Sequence, residues 1–233
     1  MHCFVDYRIS NEELSNLAKS NMDVLIVPQT NLVYPAIDGH VDIQLNIIDK
    51  LSKTIIVHKD INPNFLELLS AKNINYILSD KSLDNSYPND IILNALILDD
   101  YFIHNTNYTD KNLLSTQSKK NIINVNQGYT KCSVLPITNT ALITNDIGIY
   151  NSLDKDIFDI LLLPPGDILL PSLDYGFIGG TGGMISTSKL GLFGELNHYK
   201  YGTEVYNFLH KYDIEPISLR KGKLIDRGSL LCI

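Results

Sequence analysis

The 233 residues contain no tryptophan and only three cysteines. The missing tryptophan, in a chain rich in Asn, Ile, Lys and Asp, is a composition typical of an AT-rich bacterial genome. Cys3, Cys132 and Cys232 are odd in number and form no CxxC pair. That excludes a paired-disulfide framework and a cysteine zinc site, and it points to reduced thiols in a cytoplasmic protein. No run of about 18 apolar residues occurs, so nothing reads as a membrane span. Met1-His2-Cys3-Phe4-Val5-Asp6 has neither the basic start nor the apolar run of a secretory signal. Basic residues are also short: 19 Lys and Arg against 26 Asp and Glu leave a net charge of -7. Broad nucleic-acid binding needs a basic face and is argued against, although a local basic pocket for an acidic ligand is not.

What the chain does have is ordinary for a globular protein: 44% hydrophobic and 19% charged residues. Its length suffices for a substantial core and is read as one domain spanning 1–233. One stretch stands out, Ile37-Asp38-Gly39-His40-Val41-Asp42 running into apolar Ile43–Ile48. With 42–48 as a strand, Asp38, His40 and Asp42 would share a face and set a histidine beside two carboxylates.

The pattern of a polar entry, an apolar strand, a return strand, a helix and a closing strand recurs. The first unit has strands 42–48 and 54–58, a helix from Asn62-Pro63 to about Ala71, and strand 74–78. The second has strands 91–98 and 101–104, a helix capped at Thr109-Asp110, and strand 121–125. The third begins at Gly128-Tyr129-Thr130-Lys131-Cys132 and runs through 137, returns at 141–144, and adds a helix to about Asp154 and strand 158–163. The fourth begins at Gly176-Phe177-Ile178 and runs into Gly179-Gly180-Thr181-Gly182-Gly183, which is neither a phosphate-binding nor a dinucleotide-binding pattern. It continues through 184–185, return strand 190–193, an amphipathic helix over about 201–212 and strand 214–219. The C-terminal stretch 223–233 is a polar-entry strand with no helix after it. The N-terminus supplies a strand (1–5), a helix begun by a capping box at Ser10 and Glu13, and strand 23–27. Together they make a fifth unit split across the termini. Unit starts near 37, 88, 128, 176 and 223 recur every roughly 40–50 residues, a repeat interval. Sharing one unit between both ends would close a ring and remove exposed sheet edges.

Five such ββαβ units with pseudo-fivefold symmetry resemble the pentein (α/β propeller) superfamily, and within it a clostridial-type branch. Arginine deiminase, dimethylarginine dimethylaminohydrolase, agmatine deiminase and the glycine amidinotransferases share that fold. The resemblance implies an α/β five-bladed propeller with a central pocket lined by the polar entries. It also implies a Cys nucleophile that attacks a guanidinium carbon, a His acid/base, and carboxylates that grip the planar cation. His40-Val41-Asp42 is similar to the superfamily's His-x-Asp motif, with Asp38 an added carboxylate. The superfamily's nucleophile lies in the final polar-entry strand. Here that strand reads Asp226-Arg227-Gly228-Ser229, and Cys232, three residues on, falls on the opposite strand face if Ser229 faces the pocket. Cys132 occupies a polar entry instead, with Lys131 beside it to lower its pKa.

The expected catalytic set is therefore Cys132, His40 and Asp42. Asp38, Asn94, Lys131, Glu195, His198, Asp226, Arg227 and Ser229 are the expected substrate-binding groups, with no metal and no cofactor. Each has a plainer counterpart: a structural histidine at a strand entry, a small buried cysteine, ordinary turns at 179–183 and 226–229. Cys232 and Cys3 are weaker nucleophile candidates, and His58, His104 and His210 are expected at the surface. The chemistry implied is that of an amidinohydrolase or amidinotransferase acting on a small guanidino or amidino compound. The alternative is a non-catalytic propeller that binds a small ligand or a protein. No nucleic acid or membrane partner is expected, and a homodimer is compatible with all of this.

Overall fold

The computed structural model describes Met1–Ile233. The chain opens with β1 (His2–Asp6), α1 (Asn11–Lys19) and β2 (Asp23–Val27). Unit one follows as α2 (Val41–Gln44), β3 (Leu45–Asp49), β4 (Thr54–Val57), α3 (Pro63–Ala71) and β5 (Asn75–Leu78). Unit two is β6 (Leu96–Ile97), β7 (Tyr101–His104), α4 (Lys111–Thr116) and β8 (Asn121–Asn124). Unit three is α5 (Thr130–Ser133), β9 (Val134–Pro136), β10 (Ala141–Thr144), α6 (Ile147–Ser152) and β11 (Asp159–Leu162). Unit four has a 3-10 turn (Ile178–Thr181), β12 (Gly182–Ser186), β13 (Lys189–Leu192), α7 (Gly202–Lys211) and β14 (Glu215–Ser218). β15 (Leu231–Cys232) comes last.

These strands form five three-stranded sheets, β3-β4-β5, β6-β7-β8, β9-β10-β11, β12-β13-β14 and β15-β1-β2. In each, the first strand pairs antiparallel with the middle one and the third pairs parallel with it. A parallel pair needs a crossover, and the helix supplies it. The fold is the five-bladed α/β propeller, and β15 on β1 is the blade shared by the two ends of the chain.

The local reasons are legible residue by residue. Ser10 and Glu13 form a full capping box on α1, Asn62 caps α3 with Pro63 in its first turn, and Asp110 and Asp146 cap α4 and α6. Middle strands are apolar on both faces because each sheet is covered on both sides. In β4, Ile55 and Val57 enter one apolar cluster and Ile56 the next; in β1, Phe4 enters one and Cys3 and Val5 another. There are five such clusters, each filled mainly from two neighbouring units. The core is thus a set of seams between blades.

At the ring centre the polar entries are not extended strand. Residues 41–44, 130–133 and 178–181 are single helical turns, and only Leu96 and Ile97 of the expected strand 91–98 are in a ladder. His40 and Asp42 are therefore placed by a turn and not by strand alternation. Each turn tucks its polar side chains against the next unit. The Asp42 N–H donates to Gly228 O (3.1 Å), Lys131 N–H to Asn94 O (3.0 Å) and Ser229 N–H to Gly180 O (3.1 Å). Asn94 Nδ2 donates to Asp42 O (3.0 Å) and Lys131 Nζ to Gly179 O (3.3 Å). These bonds join units five to one, two to one, three to two, three to four and five to four, a complete circuit.

Candidate active site

The circuit brings buried polar side chains to one point. The His40 ring, an Asp42 oxygen and Cys132 Sγ lie within 4.8 Å of one another. Asp42 is the hub. Its Oδ1 accepts from Cys132 Sγ (3.2 Å) and its Oδ2 from Ser229 Oγ (2.5 Å). Asn94 clamps Cys132 from both sides: its Nδ2 donates to Sγ (3.1 Å) and its Oδ1 accepts the Cys132 N–H (3.1 Å). Lys131 Nζ donates to Ser229 Oγ (2.8 Å). Asp226 accepts the N–H groups of Phe177 and Gly228, each at 2.9 Å, and its Oδ1 stands 3.8 Å from His40 Nε2. Neither ring nitrogen of His40 has a hydrogen-bond partner in the protein.

Backbone geometry makes this density feasible. A Cβ on Gly180 would fall 1.8 Å from Asp226 Oδ1, so only glycine lets that carboxylate in. Gly228 has φ +65° and sits against His40, where a Cβ would meet the His40 Cβ at 2.3 Å. Ser229 follows at φ +71°, a strained conformation for a non-glycine residue that aims its hydroxyl at Asp42.

Burial dominates the electrostatics. It pushes the Cys132 thiol well above its usual pKa, and the Asp42 charge adds to this. The expectation that Lys131 would activate the thiol is overturned: Lys131 Nζ serves Ser229 and Gly179, and burial lowers its own pKa. Burial also lowers His40, raises Asp42, and raises Asp226 to about 6. Four carboxylates (Asp6, Asp38, Asp42, Asp226) and two cations (Arg8, Lys131) crowd the region, so it holds an excess of acceptors and negative charge. Tyr34, Tyr129 and Phe177 pack against the apolar cluster that contains Cys132, and Tyr129 stacks on Phe177 with ring centroids 6.2 Å apart. The site is covered from that side.

The structure brings together Cys132, His40, Asp42, Asn94, Lys131, Asp226 and Ser229. Asp38 lies one step away, accepting from Tyr7 Oη (3.2 Å) and Gln29 Nε2 (2.7 Å). Arg227 turns to Glu13 of α1 (3.7 Å) and does not face the cluster. Glu195 and His198 pair with each other at 3.4 Å, and Glu195 accepts the Gly222 N–H, so both belong to the periphery. Cys3 and Cys232 lie in the seam between units four and five. His58 and His104 are not at the surface but buried at the ends of β4 and β7, because the middle strand is enclosed to its last residue. Sequence reasoning missed Asp6, Arg8 and the three covering aromatics. A readable signal existed for Asp6: Asp6, His58, His104 and Thr144 each end an apolar middle strand with a buried polar residue.

A family model matches residues 4–231. The chain belongs to a family of unknown function, DUF6873. No curated protein matches the chain by sequence. Among solved structures, this member of DUF6873 is similar to SxtG, an amidinotransferase from Microseira wollei in the saxitoxin biosynthetic pathway. The two are 10% identical with a TM-score of 0.56, covering 97% of this chain and 89% of that one. It is also similar to the inosamine-phosphate amidinotransferase StrB1 from Streptomyces griseus, at 12% identity and TM-score 0.56, covering 90% of this chain and 74% of that one. At such identities the likeness establishes the fold of the DUF6873 chain. No helix is long and apolar enough to cross a membrane.

Proposed function

We propose that the ring centre acts on the guanidino or amidino group of a small molecule, with Cys132 as nucleophile. The observation that carries this reading is the convergence of His40, Asp42 and Cys132 within 4.8 Å. A planar cation would bind Asp42 and Asp226, whose pKa values burial raises and whose ionised forms the cation's charge would favour. Its charge would in turn pull the Cys132 pKa down, so the thiol loses its proton to His40 as substrate binds. The thiolate adds to the central carbon, an amine leaves with the proton from His40, and the thiouronium left on sulfur is resolved by water or by an acceptor amine. Asn94 would hold Cys132 in place, and Ser229 with Lys131 would hold Asp42. The two similar structures are named as amidinotransferases, which supports the reaction class.

Full burial of the thiol favours a second reading, a non-catalytic protein that binds a ligand through the same carboxylates. Labelling separates the two. A cationic haloacetamidine is expected to alkylate Cys132 in the folded protein about tenfold or more faster than the neutral haloacetamide, since a one-unit fall in thiol pKa gives ten times the thiolate. Peptide mass spectrometry would locate the label, and His40→Ala should slow it. No modification of any cysteine under native conditions would sink the catalytic reading and leave the binding one.

A further inference from the structure

The reactive cluster has no opening to solvent. Cys132 and Asp226 are 2% exposed, His40 1%, and Asp42 and Ser229 not at all. A ligand that reaches Cys132 must first displace part of its cover. That cover is three half-buried rings, Tyr34, Tyr129 and Phe177, carried by the segments that lead into units one, three and four. Burial raises the Tyr34 pKa, and charge at Asp90, Cys132 and Asp226 adds to this, so its hydroxyl lies within reach of the cluster.

The three rings are not held alike. Phe177 is bolted by its backbone: its N–H donates to Asp226 Oδ2 (2.9 Å), and the next N–H, of Ile178, to Asn145 Oδ1 (3.0 Å). Tyr129 heads α5, where its carbonyl accepts the Ser133 N–H (3.0 Å), and its hydroxyl donates to buried Asp90. A hydroxyl has one proton to give. With that of Tyr129 committed to Asp90, the Tyr34 hydroxyl is the donor in the Tyr34–Tyr129 pair (3.2 Å). This long, neutral bond is the only one the Tyr34 side chain makes. Its backbone belongs to the irregular stretch between β2 and α2, closed at the base by the Thr30 N–H on Asp38 O (2.9 Å). Pro35 beside it is exposed, so the ring has solvent to turn into.

We propose that Tyr34 is the gate of the ring centre, swinging away from Tyr129 to admit a ligand to Cys132. A single neutral hydrogen bond is a weak hold, whereas Tyr129 and Phe177 stay anchored. Those two stacked rings, 6.2 Å apart, are left as an aromatic wall beside an incoming planar cation. As a substrate entrance the gate rests on the reading that Cys132 reacts; as a motion it does not.

The test is the rate at which neutral iodoacetamide alkylates each cysteine of the folded full chain, read by peptide mass spectrometry. Tyr34→Phe keeps the ring and removes its one hydrogen bond; Tyr34→Ala removes the ring. Cys132 labelling is expected to rise about threefold or more in the first and about tenfold or more in the second. Cys3 and Cys232, buried in the seam between units four and five, should keep the parent's rate in both. A Cys132 rate unmoved in both variants would overturn the gate. So would a rise only in step with Cys3 and Cys232, because entry would then follow general unfolding. Loss of the cationic reagent's advantage over the neutral one would instead sink the catalytic reading and leave the gate standing.

Discussion

Cys132 is held by three hydrogen bonds with two neighbours and yet is not activated by them at rest. Asn94 and Asp42 fix its position, while burial and the Asp42 charge keep its proton on. A neutral alkylating reagent should therefore react slowly at pH 7 and faster as the pH rises toward the raised thiol pKa, which a pH series of labelling rates would read. Ser229 works from the other side. Its hydroxyl accepts from Lys131 Nζ and has one proton to give, with Asp42 Oδ2 (2.5 Å) nearer than Gly179 O (2.8 Å). Ser229→Ala keeps the strained φ and leaves Asp42 and Lys131 each short of a partner. A loss of about 1–3 kcal/mol is expected in urea unfolding, and the haloacetamidine rate should fall because Asp42 is no longer pinned. An unchanged stability would show that the hydroxyl network contributes nothing net.

The middle strands carry the element-scale behaviour. Each is closed in by the seams on both sides, so the polar residues at their ends are buried with it. His58 and His104 are each held down to about 4 by burial, against about 6.5 in an unfolded chain. Between those values the unfolded state binds more protons, so stability is complete above about pH 6.5 and falls as the pH drops toward 4. Asp226, raised to about 6, acts in the opposite sense: the folded chain keeps its proton, and stability from this group declines as pH rises from about 4 to 6. His58 and His104 outweigh Asp226, while His40, lowered, and Asp42, raised, act in opposite senses to each other. The expected net loss on going from pH 6.5 to 4 is on the order of a few kcal/mol. His104→Gln should flatten that slope in denaturant unfolding measured across the range; a slope identical to the parent would contradict the assignment. At the same scale, Ile56→Ala opens a cavity in the seam between units one and two and should cost about 2–5 kcal/mol.

For the whole molecule, the ring is completed by the β15-β1 pairing. Cys3 and Cys232 are directly opposed there, next to the pair His2 and Ile233, which exchange both backbone bonds. Cys3 and Cys232 therefore occupy the close, non-hydrogen-bonded position, whose usual Cα separation of about 4.5 Å suits a disulfide. Diamide would take two electrons and two protons from the thiols and join them. The expected result is a mass lower by two hydrogens in the Cys3–Cys232 linked peptide and a higher unfolding midpoint, since a loop of nearly the whole chain is closed, worth roughly 5–6 kcal/mol in the chain-entropy account. Oxidation that pairs Cys132 instead, or leaves the midpoint unmoved, would count against this geometry.

Much of this was present in the order of residues alone. Apolar runs at a steady interval, capping residues at Ser10, Asn62, Asp110 and Asp146, and a surplus strand at each end determined five units and the closure between termini. These are local signals: a cap or an apolar strand is decided by neighbours a few residues away. The membership of the central cluster was half legible, because polar entries of successive units had to meet if the ring closed. Its geometry was not. Only the tertiary structure turned residues 41–44 and 130–133 into helical turns, sent Arg227 to Glu13, and buried His58 and His104. Only the fold could decide that Lys131 serves Ser229 and not Cys132, because the partner lies 98 positions away in sequence and burial reverses the effect that adjacency suggests.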